Sequence, residues 1–168
     1  MQHLFNTEHL SRIGFTGFEP ILAMDHGCPT VPPAAGIYAV VRNETTYPVF
    51  LDRSVGGHFK GEDPTVSQET LSSRWCPAVA TLYIGRATNL RRRFGLLARY
   101  GRGEPVAHRG GRSLWQLAEP HRLQVAWRLE DDPVLAERQL LEEFEETYGQ
   151  LPFANLVHGQ RPIPLAVA

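Results

Sequence analysis

The chain has 168 residues, 42% of them hydrophobic and 21% charged, with a formal net charge of −1. This balance fits one domain with a core of useful size and excludes a chain too polar to fold. No apolar run approaches the roughly 18 residues of a membrane helix, so the expectation is a cytoplasmic protein without a membrane partner.

Residues 1–35 read as an irregular N-terminal extension with a short helix near Thr7 to Ile13, ended by the turn formers of HGCPTVPPAAG. The start has no basic region followed by an apolar block, so no signal peptide is expected. GIYAVVR, Gly36 to Arg42, is a short apolar, β-rich run that predicts a buried strand. Residues 43–80 form a polar insert in which VFLD suggests an edge strand and Pro64-Thr65 opens a helix through about Arg74. Leu82 to Gly85 is the next strand. Thr88 or Asn89 then caps a helix from about Leu90 to Tyr100. Gly101 to Ser113 is a glycine- and arginine-rich loop, and Leu114 to Ala118 a short helix or turn. His121 to Leu129 alternates as a third strand. Asp132 caps and Pro133 opens a last helix to about Tyr148, followed by a loop, Gln150 to Leu156, and a tail, 157–168. The expected fold is a single α/β (α+β) domain: a small, mostly antiparallel sheet of about three strands flanked by helices.

Cys28 and Cys76 form no CxxC pair. Free thiols fit a reducing compartment, and no structural zinc site is expected.

The neutral total conceals a polarised chain. From Arg86 to Arg112 there are eight arginines and one acid, and from Glu130 to Glu146 eight acids and one arginine. A local basic patch is what a polyanion meets. Lys60 is the only lysine against sixteen arginines, so composition also contributes to the run. Arg91, Arg92 and Arg93 fall in the first turn of their helix, where the macrodipole already places positive charge. A phosphate there would offset the repulsion; the alternative is a solvated charged face.

Helical periodicity separates the three. At about 100° per residue, Leu90, Phe94, Leu97 and Tyr100 share a buried face, and Arg93 falls among them. Arg91 and Arg92 point away, to solvent or a phosphate. In the last helix, Glu137 sits in the middle of the stripe made by Leu140, Leu141, Phe144 and Tyr148. A carboxylate on a buried face needs a cation, a hydrogen-bond network or a metal. A first-turn dipole role or an ion pair with a buried arginine is the structural alternative. Tyr38 and Tyr83, each on a short strand, read singly as core tyrosines.

GIY at 36–38 and YIG at 83–85 together resemble the motif pair of the GIY-YIG nuclease superfamily. That family includes homing endonucleases, some type II restriction enzymes and the incision subunit of nucleotide excision repair. The family places an arginine ten positions after the YIG tyrosine, where this chain has Arg93. It places a glutamate on a later helix, commonly followed by xxLI, where Glu137 is followed by Arg138-Gln139-Leu140-Leu141. It ends with an asparagine in a PxxN-like turn, where Pro152-Phe153-Ala154-Asn155 stands. The resemblance covers most of residues 36–156. It implies a metal-dependent endonuclease that hydrolyses phosphodiesters in DNA, with Tyr38, Tyr83, Arg93, Glu137 and Asn155 catalytic and Glu137 holding Mg²⁺ or Mn²⁺. A free tyrosine is a poor base at neutral pH, so nearby arginines would have to lower its pKa.

The chain departs from the family pattern in places. Forty-four residues separate Tyr38 from Tyr83. Leu97 stands where some relatives have histidine, with His108 in the HRGGR loop as a substitute, and Arg86 stands where many have lysine. Arg86, Arg91, His108, Arg109 and Arg112 are further candidates for DNA contact. So are Arg53, His58 and Lys60 on the insert, whose Thr65 to Trp75 helix would anchor the loop; a lid or dimer contact is the insert's other reading. A catalytically silent nucleic-acid-binding module and a partner-dependent subunit remain open, as does a homodimer.

Overall fold

The computed structural model describes residues 4–44, 46–108 and 110–156. Arg109 and the expected tail, 157–168, lie outside the described residues. The elements are α1 (Thr7–Arg12), β1 (Thr16–Pro20), β2 (Gly36–Arg42), α2 (Gln68–Arg74), β3 (Thr81–Ala87), α3 (Leu90–Gly101), β4 (Leu123–Leu129) and α4 (Pro133–Tyr148), with short 3-10 turns between them. The strands form one antiparallel sheet in the order β1-β4-β2-β3. The fold is thus mixed α+β with helices flanking an open antiparallel sheet. No described helix is long and apolar enough to cross a membrane.

The extra strand is β1, inside the segment expected to be irregular. It lies at the sheet edge beside β4 and carries a bulge between Gly17 and Glu19. Gly17 has φ +97°, and a Cβ there would lie 2.2 Å from the Trp127 ring. Glycine, proline and a bulge erase the alternation that marks a strand, and its pairing comes from residues more than a hundred positions away.

β2 runs through the middle of the sheet and all seven of its residues are buried. Its side chains alternate between two cores, as strand geometry requires. Tyr38 and Val40 join Phe94 and Leu97 of α3, together with Leu71 and Trp75 of the insert. Ile37, Ala39 and Val41 join Leu140, Leu141 and Phe144 of α4, with Phe5 and Leu10 from the N-terminal segment. The helices therefore pack on opposite faces of the sheet.

VFLD does not form an edge strand; Phe50 makes an isolated antiparallel bridge with Leu117. The insert is held instead by side chains. The Gln116 amide donates to the carbonyls of Leu51 and Val66 and accepts from Val66 N. Phe50 stacks on Phe153, and Trp75 meets both rings edge-on. The helix expected from Pro64 starts later, because Ser67 is its N-cap and accepts from Thr70 N.

Candidate functional site

Tyr38 on β2 lies opposite Gly85 of β3 in the antiparallel register. A Cβ at Gly85 would lie 2.7 Å from both tyrosine rings, so glycine here lets Tyr38 and Tyr83 approach. Their ring centroids are 5.8 Å apart. Arg93, one turn into α3, donates through Nε to the Tyr38 hydroxyl at 3.4 Å and through a terminal nitrogen to the Ala107 carbonyl at 3.2 Å. Asn89 caps this helix by accepting from Arg92 N at 3.0 Å.

Glu137 approaches from α4 and is 6% exposed. Asp132 caps its helix by accepting from Leu135 N. The Arg86 guanidinium donates to Glu137 Oε1 at 2.5 Å. Burial raises the Glu137 carboxyl above the ordinary carboxylate range, against the opposing pull of Arg86 and Arg93. Burial, with the neighbouring Tyr38, also pushes the Tyr83 hydroxyl well above its ordinary value, and Arg93 offsets this only in part. Burial works against charge on Arg93 too, but Tyr38 and Tyr83 more than compensate and hold its guanidinium above its usual value.

Asn155 stands behind the tyrosines. Its amide accepts from Ile84 N at 2.9 Å and donates to Ile84 O at 2.8 Å, and Ala154 N donates to Leu82 O. It stands in for a neighbouring strand along the free edge of β3, so Asn155 positions the strand that carries Tyr83.

Between the first turns of α3 and α4 a cleft of about 450 Å³ opens over the end of β3. Arg86 and Ala87 line it from the end of β3, Arg92, Arg93 and Leu96 from α3, and Pro133 and Val134 from α4.

The other candidates are dispersed. Arg91 is half-buried and engaged with backbone: its Nε donates to the Val31 carbonyl at 2.8 Å, and a terminal nitrogen reaches Pro29 O. It ties the N-terminal extension to α3. His108 is fully buried and cannot meet DNA as the loop stands. Neither of its ring nitrogens has a hydrogen-bond partner, and burial, with Arg93 nearby, holds its pKa well below the ordinary value. Arg112 is half-buried in a 3-10 turn. Arg53, His58 and Lys60 are exposed, but their loop packs on the far end of α3, where Gly57 N donates to Tyr100 O. Arg99 pairs with Glu104, and Arg102 with Glu104 and Asp25. Much of the basic run is therefore neutralised internally.

Sequence reasoning missed the Ala107 carbonyl on Arg93 and the close approach of Gly110 to the Tyr83 hydroxyl, where a Cβ would lie at 2.7 Å. A backbone carbonyl leaves no signature in a sequence. The glycine pair Gly110-Gly111 was the available sign of tight packing, and it reads equally well as an ordinary loop. Among the described residues, no three His, Cys, Asp or Glu side chains group as a metal-binding set. Comparison with protein-family models, curated proteins and solved structures yields no match to this chain.

Proposed function

We propose that the chain is a metal-dependent endonuclease of the GIY-YIG type, hydrolysing phosphodiester bonds in DNA. One observation carries the reading: Tyr38, Tyr83 and Arg93 gather on the α3 face of the sheet, and Glu137, paired with Arg86 on the α4 side, is near enough to act electrostatically on both Arg93 and Tyr83. A packed core has no need of a buried carboxylate, nor of a half-buried arginine bonded to a buried tyrosine.

Glu137 would hold the Mg²⁺ or Mn²⁺. Its hard carboxylate oxygens suit such an ion, which commonly takes one or two protein carboxylates and keeps several waters. When bound, the ion supplies positive charge at the scissile phosphate and the departing oxygen. Arg86 shares the Glu137 carboxylate and holds it in place. Arg93 would stabilise the non-bridging oxygens of the transition state as a fixed cation, exchanging the Ala107 carbonyl for phosphate. Tyr83 keeps its proton at neutral pH because burial raises its pKa, so it serves as a hydroxyl donor that orients and not as a base. Tyr38, whose oxygen accepts from Arg93, is the tyrosine whose oxygen Arg93 fixes toward the attacking water.

A second reading draws on the Arg86–Glu137 pair: a carboxylate already neutralised by its own arginine is compatible with a catalytically silent DNA-binding module or a subunit that needs a partner. Incubation with supercoiled plasmid in Mg²⁺, Mn²⁺ or EDTA separates the two. Nicked or linear product in the metal lanes only, lost in Glu137→Gln, is the expected result. Retention of DNA without cleavage under any metal supports the second reading and defeats the first.

A further inference from the structure

The lining of the cleft beside Arg93 is part charged and part apolar. On the α3 side stand Arg92 and Arg93, with Leu96 one turn further along the same helix; the first turn of α4 brings Pro133 and Val134, and Ala87 lies at the end of β3. Arg92 is exposed and, among the described residues, is the one arginine of the Arg86 to Arg112 run without a partner. Val134 is 46% exposed although it begins a helix whose neighbouring turns are buried against the sheet. Such a mixed lining does not match the surface of a continuous duplex, which presents phosphates on its outside and keeps its bases stacked within. It does match one nucleotide taken alone, with its phosphate on the arginines and its base and sugar against the apolar side chains. The volume, about 450 Å³, is that of a small-ligand site and far too small to admit a duplex.

Resting on the nuclease reading above, we propose that this cleft receives a single unstacked nucleotide next to the scissile phosphate. The preferred substrate is then DNA with unpaired nucleotides at the point of cleavage, not uninterrupted duplex. Arg92 holds the flanking phosphate, and Val134 and Leu96 contact the base or sugar. Unstacking costs least where a base is already unpaired, which is how such a cleft selects.

Equilibrium binding in EDTA tests this without any turnover, using a short labelled duplex and the same duplex with a few unpaired nucleotides in one strand. The interrupted DNA is expected to bind about ten-fold more tightly, the effect of removing roughly 50–60 Å² of apolar base and side-chain surface from water. Val134→Asn should bring that ratio down to about two-fold, because the apolar contact is lost, and Arg92→Ala should weaken both complexes and reduce their salt dependence. Thermal melting of each variant confirms the fold. Equal affinity of the wild type for both DNAs, or a preference that survives Val134→Asn, overturns the nucleotide cleft. If that occurs while plasmid is still cut in a metal-dependent way, the nuclease reading stands and only this inference falls. Absence of binding to either DNA removes both.

Discussion

Arg86 donates to Glu137 Oε1 at 2.5 Å and so ties the end of β3 to the second turn of α4. The pair does two things at once: it supplies a buried carboxylate with a cation, and it fixes that carboxylate beside the arginine cleft.

Glu137→Gln is expected to abolish cleavage while keeping the fold and most DNA binding. Burial raises the Glu137 pKa in the folded state, so the stability linked to this group is complete below about pH 4.5, its unfolded value, and is lost as pH rises through the raised folded value. The glutamine variant carries no such pH-dependent loss. For the wild type, activity should fall on the acid side while ordinary carboxylates are still ionised, because protonated Glu137 cannot hold a cation. Initial rates over about pH 5 to 8 measure this. Cleavage at the wild-type rate by Glu137→Gln removes the carboxylate from the reaction.

Three consecutive arginines have three different settings, and their alanine variants should differ in kind. Arg93→Ala should lower the rate by roughly 10²–10³, the usual loss for a fixed transition-state donor. Arg91→Ala removes two backbone contacts of the N-terminal extension and should cost about 1–2 kcal/mol of stability with little change in rate. Arg92→Ala should weaken binding and reduce the salt slope by about one. Melting, single-turnover rate and salt-dependent affinity, measured on all three, separate these effects. Equal losses across the set would mean that the run acts as diffuse charge.

Arg93 and Glu137 were legible in the sequence because helical periodicity records which face meets the sheet, and a charged residue within an apolar stripe breaks that record visibly. The caps at Asn89 and Asp132 were legible for a similar local reason. What escaped was non-local. β1 exists because β4 and Trp127 lie beside it, and its own residues alternate poorly. Arg91 looked solvent-facing because its partners, the carbonyls of Val31 and Pro29, belong to a segment sixty residues earlier. The basic run looked like an open patch because charge counting cannot show Arg102 paired with Asp25 and Glu104.

His108 offers a test of the loop that covers the site. A fully buried imidazole with neither nitrogen hydrogen-bonded costs stability that an apolar side chain would not. His108→Leu should therefore melt at or above the wild-type temperature at pH 7.5 and keep its DNA affinity. The folded-state pKa is depressed, so the stability linked to this group is complete above its unfolded value of about 6.5 and declines as pH falls toward the depressed one. Wild type should lose melting temperature on acidification below about pH 6.5, and the leucine variant should lose less. A variant with the same pH slope as wild type would show that the imidazole is hydrated. Loss of DNA affinity in the variant would return His108 to the interface.

The insert gives the last prediction. Its loop is anchored by Gly57 N on Tyr100 O, by Ser54 N on Thr65 Oγ1 and by the Gln116 amide, none of which involves Arg53, His58 or Lys60. These three are exposed. The contact of His58 with Asp63 is long, at 3.8 Å, and exposed pairs contribute little. Tyr100 lies seven residues beyond Arg93, about 10 Å along α3, or roughly three base steps of a DNA strand. On the nuclease reading, side chains there would meet DNA flanking the cleavage point and not the reacting phosphate. Replacing Arg53, His58 and Lys60 together with alanine should weaken DNA affinity about three- to ten-fold, or shift the positions of cleavage, because a few phosphate contacts are lost. The maximal rate and the melting temperature should stay close to wild type. Affinity and cleavage sites that remain unchanged while stability or oligomeric state shifts would make the insert a lid or a contact between copies, and would end its role in recognition.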